Sequence, residues 1–329
     1  MVECLIFIVM ECLTGLVLTM SGISDKYPDF ISLAVLGIGS VWILGLFWRK
    51  TKKNNHFVIL LMGYILRVFI MLVNIYGADI LPIPNINTDC EGFFWTASHY
   101  YNGVQVDEYT KYPYIINGIF QFFGMNRVVA QYTNTFVWAM GVMLLMRMWK
   151  KFVLSDRGKT LVLFLIALWP NYILATMQLQ RESLIAFFNL LAFYCLVEWL
   201  EKKKYSWLIL SFVAAIPAAL LHSASMAIWA ANAVVIAIWN QKKQKMAVSI
   251  KTVVIISIAF AGIILLFYSP LKEVLFSYIQ IGEISWKAVY NLYQVRFVAG
   301  GSDYLRNMQV NNVWQFIGAT IIRMLYFMI

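Results

Sequence analysis

Charged side chains are scarce in this sequence: Asp, Glu, Lys and Arg make up 13% of its 329 residues, where a soluble domain carries about a quarter. So little charge cannot clothe an ordinary water-soluble globule. Cysteine is scarce too. Cys4, Cys12, Cys90 and Cys195 show no CxxC or other paired spacing, which argues against a zinc site and a disulfide framework. No GxxxxGK[ST] loop and no HExxH helix occurs, so neither a Walker-type phosphate cradle nor a zincin centre is encoded. No fixed period repeats, and no pair of short Gly/Pro-broken segments marks the matching halves of an inverted-repeat transporter. The start, Met1-Val2-Glu3, lacks the positive region of a cleavable signal peptide.

What is abundant is apolar surface. Hydrophobic residues make up 61% of the chain, and the mean hydropathy is +0.72. Runs of about 18 apolar residues, each able to cross about 30 Å of hydrocarbon, recur along the sequence. They begin with Val2–Met20, Phe30–Trp48, Phe57–Tyr76 and Val128–Met146. Thr160–Met177, kinked at Pro170, Leu184–Leu200, Trp207–Leu221, Met226–Trp239 and Thr252–Phe267 follow, and a last run interrupted by Arg323 closes the chain at Ile329. That last run has no flanking anchor, so the expectation is either a short, polar-faced final helix or a chain cut before further helices. The predicted fold is all-α: one polytopic transmembrane bundle of about ten helices over residues 1–329. The net charge of +10 does not point to nucleic acid, because the basic residues cluster between apolar runs. Arg49-Lys50-Thr51-Lys52-Lys53, Arg147 with Lys150 and Lys151, Lys202-Lys203-Lys204, and Lys242 with Lys243 and Lys245 form the positive-inside pattern. They set the N-terminus in the cytoplasm and the chain in a lipid bilayer.

Alternation then puts two polar segments, about 78–126 and 268–311, on the non-cytoplasmic face. Each is too short for its own core, so each is expected to carry short helices packed on the bundle. The first holds Asp89 and Glu91 among Phe93, Phe94, Trp95, Tyr100 and Tyr101. A carboxylate at a wet boundary lined by rings can act as a general base, or can join His99 around a divalent cation; a solvated carboxylate or a helix N-cap is the plainer alternative. The rings fit a sugar-stacking groove or, more simply, an interfacial aromatic belt. Arg181-Glu182, at the turn between two runs, suits a phosphate or a self-paired turn. His222 ends a run on the same face, as a ligand contact or a packed residue. Arg67, a charge inside an apolar run, faces the interior and could pair with Glu3 or Glu11. In the second segment Arg296, Gly300-Gly301-Ser302-Asp303-Tyr304 and Arg306 fit either a tight turn with cations suited to an anionic lipid headgroup or an ordinary loop of mixed charge.

The order Asp89, Gly92-Phe93, Ala97, Tyr100, Gly103, then Tyr112-Pro113, Gly118-Ile119-Phe120 and Gly124, resembles integral-membrane glycosyltransferases of the GT-C type. Trp169-Pro170 followed by Arg181-Glu182, and Gly300-Gly301-Ser302-x-Tyr304, resemble bacterial polysaccharide polymerases of the O-antigen or capsule type. The acidic motif departs from a plain Asp-Asp or Asp-Glu, leaving open whether Asp89 or Glu91 is the key acid. The resemblance implies a polyprenyl-phosphate-linked sugar donor, a glycan acceptor, and an active site on the outer face of a bacterial-type plasma (inner) membrane. It implies catalysis by Asp89 or Glu91 and phosphate contacts from Arg181, Arg296 and Arg306; the reading of the residues adds His99, Tyr100, Glu182 and His222 as substrate contacts. No cofactor is required, though a divalent cation fits Asp89, Glu91 and His99, and other polysaccharide-assembly proteins are natural partners in the cell envelope. A repeat-unit polymerase, a carrier of lipid-linked oligosaccharide and a non-catalytic membrane scaffold stand as alternatives.

Overall fold

In a computed structural model the described residues are 28–51, 53–77, 89–106, 111–149, 151–152, 154–222, 225–240 and 245–246, with isolated positions at 9, 13, 17, 20–22, 254, 312, 314, 315, 317 and 318. The runs Val2–Met20 and Thr252–Phe267, the Tyr268–Asn311 segment with Arg296 and Arg306, and Arg323 therefore lie wholly or almost wholly outside the described residues. Two compact units divide the chain, Met1–Ile228 and Trp229–Ile329.

The first unit is built of α1 (Pro28–Lys50), α2 (Asn54–Tyr76), α3 (Asp89–Tyr101), α4 (Tyr112–Phe123), α5 (Arg127–Met148), α6 (Asp156–Leu168), α7 (Pro170–Met177), α8 (Glu182–Lys202) and α9 (Tyr205–Leu221). A further helix, α10 (Met226–Ile238), leads into the second unit, where Trp239–Asn240 pairs antiparallel with Lys245–Met246. Among the described residues four helices are long and apolar enough to cross a membrane: Phe30–Lys50, Asn54–Tyr76, Arg127–Met148 and Glu182–Lys202. A fifth candidate is α6 plus α7, bent by 52° at their break. The apolar runs at Trp207–Leu221 and Met226–Trp239 become helices of 17 and 13 residues. At 1.5 Å per residue these reach about 26 and 20 Å, short of the about 30 Å of a full crossing.

The distribution of side chains is that of a helical membrane protein. Along α2 the exposed residues include Val58, Met62, Ile65 and Phe69, and along α9 they include Ile209, Val213, Ile216 and Leu220. Both stripes follow the 4-3-4 spacing of one helix face, which water would penalise and lipid tails accept. Polar groups turn inward instead. The Tyr64 hydroxyl lies 2.6 Å from Ser40 Oγ and 3.0 Å from Tyr132 Oη, joining α1, α2 and α5, and Ser211 Oγ donates to Ala192 O at 2.8 Å, tying α9 to α8. The basic turns gather at one end. Lys53 pairs with Asp156 at 2.7 Å, and Glu198 is buried between Lys151 at 2.9 Å and Lys202 at 2.6 Å.

The break between α6 and α7 follows from Pro170. Proline has no N–H to give Ile166 O, and its ring obstructs the preceding turn. The chain leaves the helix at Trp169 (ψ 119) and restarts with Pro170 in the first turn of α7. Carbonyls left unmet in hydrocarbon are costly, and Arg67 of α2 meets them. Its Nη1 donates to Ala167 O at 2.7 Å and to Gly63 O at 2.9 Å, Nη2 to Ile166 O at 3.1 Å, and Nε to Thr176 Oγ1 at 2.8 Å across the break. Trp138 Nε1 also donates to Ile166 O at 3.3 Å, and its ring lies 3.8 Å under the guanidinium. A cation at the negative end of α6 is favourable as well. Gly63 makes the approach feasible: a Cβ there would lie 2.8 Å from both Cβ and O of Ala167. Arg67 thus serves two helix fragments; Glu3 and Glu11, the carboxylates its sequence context offered, lie outside the described residues.

Arg67→Leu is expected to cost at least about 2 kcal/mol, the penalty of a buried carbonyl left without a donor. Pro170→Ala, which restores the missing N–H, should recover part of that loss. Unfolding midpoints of the two single variants and the double variant in detergent check this; strict additivity contradicts the assignment.

Candidate functional site

The polar segment about 78–126 folds into the helix pair α3 and α4, which packs against α5 and the turn between α7 and α8. Cys90, Phe93 and Ala97 of α3 interleave with Tyr112, Ile116 and Phe120 of α4 over Ala130, Leu179 and Leu221. Tyr112-Pro113 begin α4, where proline costs no helical hydrogen bond, and Gly124 ends it at φ 72. Asn126 then caps α5, its Oδ1 accepting from Val129 N at 3.1 Å while Nδ2 donates to Ser32 Oγ at 2.7 Å.

Beneath this pair the chain from Gln178 to Arg181 is drawn into the bundle. Gln178 and Gln180 are buried, and Asn134 Nδ2 donates to Gln180 O at 2.9 Å and to Gln178 O. Asn134 lies seven residues inside α5, about 10 Å below its first residue, so the turn is recessed. The Tyr112 hydroxyl is 3.1 Å from Asn134 Nδ2, and Cys90 Sγ contacts Gln178 Oε1 at 3.5 Å. Burial raises the Tyr112 phenol and pushes the Cys90 thiol up to about 11, so both stay neutral.

On this floor stand four of the residues singled out from the sequence. Arg181 Nη1 donates to Leu221 O at 3.1 Å, and its guanidinium lies 6.0 Å from the centre of the Phe93 ring. Glu182 lies close enough to both Arg181 and Asp89 for their charges to act on it. His222 follows Leu221. Burial first, and the Arg181 charge second, hold its imidazole below the usual 6.5. Asp89, Arg181, Glu182 and His222 therefore gather within one recess, brought from α3, the α7–α8 turn and the end of α9.

The two acids of α3 part company. Glu91 is exposed and takes a bidentate grip from Arg127, whose Nη1 donates to Oε2 at 3.0 Å and whose Nη2 donates to Oε1. Asp89 instead lies near enough to Glu182 for its charge to act there. His99 and Tyr100 are not brought to this recess: along the helix they lie ten and eleven residues past Asp89, about 15 Å away. His99 packs on the Trp95 ring at 3.9 Å with Nδ1 on Trp95 O at 2.9 Å, while Tyr100 donates to Val106 O at 2.7 Å and stacks on Tyr114 at 4.5 Å. His99 is likewise ten residues from Asp89 and eight from Glu91, about 15 and 12 Å along the helix from the carboxylates it was expected to join around a cation. Among the described residues no group of three His, Cys, Asp or Glu gathers to hold a metal ion. Of the ring set, Phe93 is buried and Trp95 exposed. The residues missed from sequence are Arg127, Asn134, Gln178 and Gln180. The signal for the second was available, since Gln131, Asn134 and Thr135 form a polar face within an apolar run.

Comparison with protein families, with characterised proteins and with known structures finds no match to this chain.

Two measurements check the electrostatics. His222 should titrate below 6.5, and Arg181→Gln should raise it by removing the neighbouring cation; a titration by NMR that does not move contradicts the contact. Because the folded state resists protonation of His222, its contribution to stability is present above 6.5 and is lost as pH falls below that. Cys90 should resist a maleimide at pH 8, and labelling as fast as in unfolded protein contradicts its burial.

Proposed function

We propose that the protein is a membrane glycosyltransferase that uses a polyprenyl-phosphate-linked sugar in cell-surface polysaccharide or glycolipid assembly. The observation that carries the reading is the convergence of Asp89, Glu182, Arg181 and His222 in one recess at the α3–α4 end of the bundle. That end is opposite the turns holding Lys53, Lys151 and Lys202, which the positive-inside rule assigns to the cytoplasmic side, and this supports reading the recess as an outer-face site.

A sugar on a lipid phosphate already carries its leaving group, so the chemistry needs one base and one cation. Asp89 takes the proton of the acceptor hydroxyl, whose oxygen attacks the anomeric carbon. The bond from that carbon to the phosphate oxygen breaks, and the departing polyprenyl phosphate meets Arg181. Glu182 orients the guanidinium, and neutral His222 leaves the cation unopposed while offering an N–H donor. With Glu91 committed to Arg127, Asp89 is the better base of the pair. A carrier would depend on charges inside its helices, but Arg67 is occupied with the α6–α7 break, which favours the enzyme. The resemblance also assigns phosphate contacts to Arg296 and Arg306, outside the described residues.

The test is the profile of lipid-linked glycans in cells carrying each variant at matched membrane levels. Asp89→Asn should cut product formation at least about 100-fold, the usual worth of a general base. Glu91→Gln should stay within about tenfold, since an exposed ion pair is worth about 1 kcal/mol at most. An unshortened profile in Asp89→Asn contradicts the reading. Complete single repeat units without polymer would move the assignment to a repeat-unit polymerase.

A further inference from the structure

Below the recess the bundle holds a half-open groove of about 200 Å³ between α5, α8 and the α6–α7 break. Gly141 and Leu145 line one wall, Ala186 and Leu190 the other, and Tyr172 and Ser183 also line it. The groove is apolar apart from a small polar share, and its helices are among those long enough to cross a bilayer. Two details mark it as a place for a ligand rather than a packing gap. Ser183 is 2% exposed, yet its Oγ has no hydrogen-bond partner among the described residues. A Cβ built on Gly141 would meet no atom within 4 Å, so the α5 wall faces open volume.

The polarity runs in one direction. Ser183 follows Glu182 and Arg181 directly, so the polar end adjoins the recess while Leu190 lies seven residues further along α8, about 10 Å deeper. Water gains little in such an apolar slot, and a hydrocarbon chain gains dispersion contacts along it. An amphiphile fits this arrangement: an anionic head at Arg181 and Ser183, with a tail down the groove. The small residues Gly141 and Ala186 leave lateral room that suits a methyl-branched chain better than a straight one.

We propose that this groove binds the phosphate-proximal isoprene units of the polyprenyl donor, with Ser183 Oγ donating to the phosphate or its bridging oxygen. This rests on the reading of Asp89 and Arg181 as a glycosyl-transfer site. Gly141 and Ala186 then determine specificity for the lipid, while the recess determines the chemistry.

The experiment uses the full chain in nanodiscs with a polyprenyl phosphate carrying a diazirine on its first isoprene unit. Photolabelling, mapped by mass spectrometry, should fall on peptides spanning 137–145 and 183–190. Excess unlabelled polyprenyl phosphate should compete, and equal phosphatidylglycerol should not. Gly141→Leu and Ala186→Phe should each cut labelling at least fivefold, with the unfolding midpoint of each variant confirming that it folds; a Cβ at Gly141 meets no atom within 4 Å. Labelling on other helices of the wild-type chain, or equal competition by phosphatidylglycerol, overturns the proposal, as does labelling unchanged in both variants. The two readings fail separately. If Asp89→Asn transfers sugar normally while the groove labels as stated, the transferase reading falls and the groove stands. If Asp89 is needed while labelling lies elsewhere, the groove falls alone.

Discussion

The guanidinium of Arg67 is the interaction on which the bundle depends. Pro170 breaks a span inside hydrocarbon, where no water can answer the carbonyls it frees. Arg67 answers two of them, reaches Thr176 beyond the break and rests on Trp138. A neutral donor would satisfy one carbonyl; the planar fork of arginine satisfies several and brings charge to the negative end of α6. The bend matters because it shortens the crossing. The span ends at Met177, within the bundle, and the next four residues turn where Asn134 of α5 can hold them. A straight helix would have carried Arg181 and Glu182 past the end of α5.

The second constraint is the dock of α3 and α4. Neither helix is long enough to span, and together they cover the recessed turn with rings while leaving one carboxylate inside. The same helical geometry that turns Asp89 toward Glu182 turns Glu91 outward to Arg127. Two acids two residues apart on a helix cannot share one face, so Asp89 is left near Glu182 while Glu91 is held by Arg127.

Much of this was legible. The apolar runs at Phe30–Trp48, Phe57–Tyr76, Val128–Met146 and Leu184–Leu200 correspond within a few residues to α1, α2, α5 and α8, because length and hydropathy alone decide them. Pro170 announced the kink. Alternation put Asp89, Arg181-Glu182 and His222 on one face together with the 268–311 segment, but that the first four share a recess depends on packing the sequence does not display. His99 and Tyr100 lie apart from Asp89 although they are near it in sequence, because ten residues of helix extend about 15 Å. Arg67 was expected to seek a carboxylate, since backbone carbonyls released by a proline more than 100 residues later leave no mark in its own neighbourhood. The role of Asn134 had the same origin, a side chain that completes a distant stretch of backbone.

The central claim, that the start of α3 and the start of α8 meet in one recess, is tested most directly by short-range crosslinking. With the native cysteines replaced by serine, Asp89→Cys and Glu182→Cys would be introduced together and treated with dibromobimane in membranes. The pair His99→Cys and Glu182→Cys serves as the control. The account predicts efficient crosslinking of the first pair and little of the second. Equal yields, or no crosslink at position 89 while both thiols react with a monofunctional reagent, would contradict it.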